Sequence, residues 1–141
     1  MSIWHAPFTI EDLNRSRVTG LAAHLGMRFS ACGDDWLAAT MPVDARTRQP
    51  FGLLHGGASL ALAETVGGVA GGLCVDRARF GCRGQEINGN HVRAATAGLV
   101  TATARPHHLG ARSQVWQIEI RDPAARLVCI SRLTLAVVAV A

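Results

Sequence analysis

Between Gly56 and about Cys74 the chain reads GGASLALAETVGGVAGGLC, apolar on almost every side, with one charge, Glu64, and no proline. That length is about five turns of helix. A helix without a polar face has to be covered on every side. The same segment holds Gly67, Gly68, Gly71 and Gly72, each costing roughly 1 kcal/mol relative to Ala. Such a helix needs tertiary support, and its small residues would let a sheet backbone come close. The expectation is one helix wrapped by one curved sheet.

The flanking sequence supplies that sheet. Met27–Ala31 and Trp36–Met41 alternate loosely around the turn residues Gly33-Asp34-Asp35, a candidate hairpin. Pro42 to Pro50 is a polar connector. After the helix, Leu99–Pro106, Ser113–Arg121 and Arg126–Val138 are rich in β-branched residues, and Gly98, Gly110 and Asp122-Pro123 punctuate them. Arg83–Ala94 is a weaker strand, supported mainly by Ile87 and Val92. Short turns between the last three strands imply an antiparallel meander. Ahead of all this, Thr9–Asn14 reads as a short capped helix with Thr9 as N-cap, and Thr19 to Leu25 as a further helical turn. The fold class is α+β, in a single domain spanning residues 1–141.

Charge narrows the ligand class. All 14 basic residues are Arg, giving a net charge of +4, and they are scattered rather than blocked. Arg suits bidentate phosphate contacts. Scattered Arg favours a small phosphorylated ligand over a nucleic-acid groove, although a coding preference for Arg over Lys would give the same composition. Cys32, Cys74, Cys82 and Cys129 form no CxxC pair, so no metal site is expected. The N-terminus, MSIWHAPFTIEDLNRS, has no long apolar stretch. No signal peptide or membrane span is expected, and reduced cytoplasmic thiols are the default.

Glu64 is the anomaly within the apolar helix. Burying an unpaired carboxylate is expensive, so either a cavity or a partner group must receive it. Partial desolvation would raise its pKa and make it a better base. His55-Gly56-Gly57 lies where the helix begins, and the first amides of a helix lack intrahelical acceptors. A Gly there would let a carbonyl approach a bare N–H, an oxyanion hole in outline. The paired glycines would equally mark a tight loop-to-helix turn, and His55 would equally serve as a core histidine. Gln49 either donates to a substrate carbonyl or is an ordinary loop residue. His91 and Arg93, two apart on a strand, would share a face.

Three blocks, GDDWLAATMPVDARTRQPFGLLHGGASLALAE, EINGNHVR and HLGARSQVWQIEI, in that order resemble the hotdog-fold thioesterases of the 4-hydroxybenzoyl-CoA and phenylacetyl-CoA group. The likeness is strongest to 1,4-dihydroxy-2-naphthoyl-CoA hydrolases and aryl-carrier-protein proofreading thioesterases. The resemblance implies a curved antiparallel sheet around a long central helix, and hydrolysis of an acyl-CoA, preferably aromatic, to acid and CoA. It makes Glu64 the carboxylate that attacks the thioester carbonyl or activates water, and the Gly56 amide the oxyanion donor. His55 and Gln49 would orient the thioester and stabilise the departing thiolate. Phe51, Gly68, Val69 and Gly72 would shape the acyl pocket. Gly84, His91, Val92, Arg93 and Ala94, with His108, Leu109, Gly110, Ala111, Arg112 and Ser113, would contact CoA. Among these Arg93 and Arg112 are the phosphate candidates, and exposed amides at Gly110 would add anion contacts. Relatives often carry Ser or Thr one turn after the Glu; here Gly68 stands there.

The resemblance further implies a homo-oligomer, a dimer of dimers with each site completed across the dimer interface. It requires no cofactor, CoA being part of the substrate. An acyl- or aryl-carrier protein is the other phosphopantetheine donor that Arg near the pocket would serve. Two other classes compete, a hotdog dehydratase or hydratase and a non-catalytic acyl-CoA binder. LHGG followed by Glu64 argues against the first, and a binder has no need of a carboxylate in that helix.

Overall fold

A computed structural model describes all residues, 1–141. Two short helices, α1 (Ile10–Arg17) and α2 (Gly20–His24), precede the hairpin β1 (Arg28–Cys32) and β2 (Leu37–Pro42). Then follow α3 (Gly56–Leu73), β3 (Phe80–His91), β4 (Leu99–Leu109), β5 (Ser113–Arg121) and β6 (Leu127–Ala139). The six strands form one antiparallel sheet in the order β1-β2-β4-β5-β6-β3. Thr9 caps α1, its hydroxyl accepting from the Asp12 amide at 3.0 Å. The hairpin, the central helix and the β4–β5–β6 meander are those expected from sequence.

β3 differs most from expectation. It runs from Phe80 rather than Arg83, ends at His91, and pairs with β6 at the far edge of the sheet. Arg93 lies beyond it, so His91 and Arg93 do not share a strand face. Its weak strand signal comes from Gly81, Gly84 and Gly89. Two of these are required by α3. A Cβ at Gly89 would sit 2.6 Å from the Leu60 side chain, and one at Gly84 would sit 2.9 Å from the Glu64 carboxylate. β4 also outruns expectation, continuing past Pro106 through a register shift to Leu109.

The core lies between α3 and the concave face of the sheet. Leu62, Val66 and Ala70 of α3 meet Met41, Ala102, Trp116, Ile118 and Leu133 within one buried cluster. Gly67 and Gly71 face the sheet so closely that a Cβ would lie 2.7 Å and 2.3 Å from Leu133 and Leu135. At Gly71 the buried Gln114 joins helix to sheet: its amide donates to the Gly71 carbonyl at 3.3 Å, and its oxygen accepts from the Trp116 indole at 2.9 Å. The helix is not wrapped all round, however. Gly57, Leu60, Glu64, Gly68 and Gly72 lie on a flank that the chain leaves at least partly open, because a single twisted sheet covers only one side of a helix. The expectation of burial on every side fails for a single chain.

Candidate active site

The connector before α3 is built to hold its start. The Thr47 hydroxyl, buried, donates to the Pro42 carbonyl at 2.7 Å, and the Thr47 carbonyl accepts from the His55 amide. Leu54 donates its amide to Ala95, tying the connector to the segment after β3. Gly52 takes φ +83°, closing the tight loop in which the Gln49 carbonyl accepts from the Gly52 amide. The Gln49 side-chain oxygen accepts from the Phe51 and Leu53 amides. That leaves the Gln49 NH₂ as the end able to donate outward.

At the helix start, His55 is the N-cap, and its Nδ1 accepts from the Gly57 amide at 2.8 Å. A neutral imidazole that accepts at Nδ1 carries its proton on Nε2. Ala58 and Ser59 donate to the His55 carbonyl, whereas the Gly56 amide has no acceptor within the protein. Gly56 is also in close contact with His91: a Cβ there would lie 2.8 Å from its Nε2. One cleft of about 390 Å³ brings together Gln49, Gly56, His91, Val92, Arg93 and Ala94. Two hydrogen-bond donors thus share one cleft, the bare Gly56 N–H and the Gln49 amide, with His55 capping the helix beside them.

Glu64 is elsewhere. It opens into a separate depression of about 440 Å³ with Leu60, Thr65 and Ile87. Its side chain is exposed and has neither a hydrogen bond nor an ion-pair partner in the chain. Eight residues of helix separate it from Gly56, about 12 Å along the axis. An oxyanion donor and an attacking group have to meet one carbonyl within about 3 Å. Glu64 and Gly56 of the same chain do not meet that condition.

The expected CoA contacts also divide. His91 pairs with Cys129 of β6, and Ser113 pairs with Ala136 of the same strand. Seven residue steps along β6 separate these points, about 23 Å. His91, Val92, Arg93 and Ala94 therefore sit at one end of the sheet, and His108, Leu109, Gly110, Ala111, Arg112 and Ser113 at the other. The Gly110 amide is not free for an anion, because it donates to the Ser113 carbonyl at 2.9 Å. Phe51 stands exposed on the connector. Gly84 lies against Glu64, and Gly68 and Val69 line a further cavity with Gly72.

Two features escaped sequence reasoning. Thr65 sits beside Glu64 in the same depression, its hydroxyl donating to the Ala61 carbonyl at 2.7 Å. Arg17, Arg77 and Arg83 converge on the Gly68 cavity. Thr65 was legible from its adjacency to Glu64. The arginines were not, since no local spacing links position 17 to position 77. All four thiols are free, and burial pushes the Cys74 thiol up to about 12, with Cys82 and Cys129 raised for the same reason.

The family model of the thioesterase superfamily matches residues 51–129, the span that carries α3, β3, β4, β5 and the start of β6. The chain belongs to the thioesterase superfamily. The 1,4-dihydroxy-2-naphthoyl-CoA hydrolase of Escherichia coli is 54% identical over 135 residues, covering 96% of this chain and 98% of that protein. The proofreading thioesterase EntH of Cronobacter turicensis is 50% identical over 141 residues, covering 96% of this chain and 98% of that one. A thioesterase crystal structure from Haemophilus influenzae superposes with a TM-score of 0.94 at 51% identity, over 97% of this chain and 95% of that one. The protein is thus a thioester hydrolase with the hotdog architecture. No helix in it is long and apolar enough to cross a membrane.

Proposed function

We propose that this thioesterase hydrolyses aromatic acyl-CoA thioesters in a site made by two copies of the chain. The carrying observation is the bare Gly56 N–H at the start of α3, in one cleft with Gln49 but about 12 Å along the helix from Glu64. A second copy supplies the missing half: its Glu64 faces the Gly56 cleft of the first. The open flank of α3 and the unpaired edge of β3 are the surfaces such a copy would cover. Covering also desolvates Glu64, which is what a carboxylate needs to act as a strong base.

The chemistry follows from the atoms. The thioester oxygen accepts from the Gly56 N–H as negative charge develops on it. Glu64 either attacks the carbonyl carbon or takes a proton from the water that does. The C–S bond breaks while the His55 and Gln49 N–H groups hydrogen-bond the departing thiolate. On the general-base route the water oxygen ends on the acid and the proton held by Glu64 passes to the thiolate; on the nucleophilic route water then cleaves the acyl–Glu64 anhydride. Gly68 offers no hydroxyl to place the water, and Thr65, beside Glu64, has free lone pairs that do. The aromatic acyl preference rests on the relatives, one of which is named a 1,4-dihydroxy-2-naphthoyl-CoA hydrolase. The same site would serve an aryl-carrier-protein thioester, a reading favoured by the 50% identity to a proofreading thioesterase.

Thiol release from aryl-CoA, aliphatic acyl-CoA and aryl-carrier-protein thioesters tests this. Aryl-CoA should give the highest kcat/KM, and Glu64→Gln and Glu64→Ala should each lower kcat by roughly 10²–10⁴-fold. Wild-type turnover in either variant would remove Glu64 from the mechanism.

A further inference from the structure

Beyond Glu64 the open flank of α3 continues along Gly68 and Gly72, one and two turns further on, about 6 Å and 12 Å along the axis. A Cβ at either glycine would meet nothing within 4 Å. Both glycines line a cavity of about 300 Å³ whose other walls carry Arg17 from the end of α1, Arg77 from the α3–β3 connection and Arg83 from β3. None of the three arginines belongs to an ion pair. Arg83 gives only a hydrogen bond to its neighbour's carbonyl, at Cys82. Asp12 and Asp76 share the adjoining cavity with Arg17 and Arg77. They are engaged elsewhere, Asp12 by Arg15, and Asp76 by His5 and the Ala78 amide. Burial, and then the charge of Arg77, lower the pKa of Arg17. Three guanidinium groups around one cavity repel one another until an anion joins them.

We propose that this enzyme prefers thioesters whose acyl group carries a second, ionised acid at its far end, held by Arg17, Arg77 and Arg83. This rests on the reading that the thioester carbonyl lies at Glu64. From there a rigid acyl group running along the flank left bare by Gly68 and Gly72 places its distal carboxylate among the arginines. A neutral acyl group of the same length leaves the three charges uncompensated. The substrate class is the half-thioester of an aromatic dicarboxylic acid.

The test compares 2-naphthoyl-CoA with 6-carboxy-2-naphthoyl-CoA, and the N-acetylcysteamine thioesters of both acids, which lack the CoA phosphates. The native enzyme should favour the carboxylated acyl group by at least about tenfold in kcat/KM with either thiol carrier. Arg17→Ala, Arg77→Ala and Arg83→Ala should each reduce that ratio towards one while leaving 2-naphthoyl turnover unchanged. Because the ratio is taken on one protein preparation, partial misfolding of a variant cancels from it. Equal kcat/KM for the two acyl groups in the native enzyme overturns the proposal. So does a loss shared by both CoA substrates and absent with N-acetylcysteamine, which would assign the arginines to the CoA phosphates. If Glu64→Ala leaves turnover of both acyl groups intact, the placement of the carbonyl fails instead, and this inference falls with it.

Discussion

α3 carries two glycine pairs of identical spacing and opposite purpose. Gly67 and Gly71 point at the sheet, where a Cβ would collide with Leu133, Leu135 and Gln114; Gly68 and Gly72 point away, where a Cβ would touch nothing. The inward pair is explained by packing, because the helix and sheet backbones could not approach so closely with side chains between them. The outward pair has no such explanation within the chain. Each outward glycine lowers helix stability by roughly 1 kcal/mol without any contact to require it. Residues that cost stability and satisfy no packing need are what a substrate channel or an interface demands. Under the proposed function, one face of the helix is set by folding and the other by the substrate.

Leu62 and Glu64 give the strongest test of that division, being two residues apart on opposite faces. Leu62 is fully buried, so Leu62→Ala should destabilise by about 2–5 kcal/mol, read by denaturant unfolding. Glu64→Ala should leave the unfolding midpoint almost unmoved and lower kcat by roughly 10²–10⁴-fold. A large stability loss from Glu64→Ala would mean that the outward face is structural after all. Next in size is Gly71→Ala. Its new methyl would meet the Leu135 side chain at 2.3 Å and the Gln114 oxygen at 2.6 Å, and Gln114 is itself fixed by the Trp116 indole. Overpacking of this kind costs about 1–3 kcal/mol, which should outweigh the gain in helix propensity. A stabilised Gly71→Ala variant would show that the sheet yields easily.

Sequence alone carried most of this fold. The run of apolar residues set the helix, and β-branched runs broken by Gly98, Gly110 and Asp122-Pro123 set the meander. β3 was faint for a physical reason: Gly84 and Gly89, which weaken its strand pattern, are the positions that admit Glu64 and Leu60 of α3. Its pairing with β6 instead of β4 depends on the path of α3 across the sheet, which no local pattern encodes. At the site, the helix start was legible because His55-Gly56-Gly57 is contiguous. The separation of Glu64 from Gly56 followed from helix geometry and was open to arithmetic. The gap of about 23 Å between His91 and Ser113 was not, since it required the register of β6. The arginine cavity was hidden for the same reason, being assembled from three segments distant in sequence.

The smallest expected effects come from the outward glycines, and they separate packing from function most cleanly. Gly68→Ala and Gly72→Ala each add a methyl to open space. Each should stabilise the protein by up to about 1 kcal/mol through helix propensity, opposite in sign to Gly71→Ala. If the flank carries the acyl group, the same methyls narrow its path. The variants should then turn over naphthoyl thioesters less well than benzoyl thioesters, relative to wild type, by a factor of a few up to about tenfold. Gly72→Ala, two turns from Glu64, should act only on the longer acyl group, whereas Gly68→Ala should affect both. Stability gained with no change in acyl selectivity would leave the outward glycines to the proposed subunit interface alone.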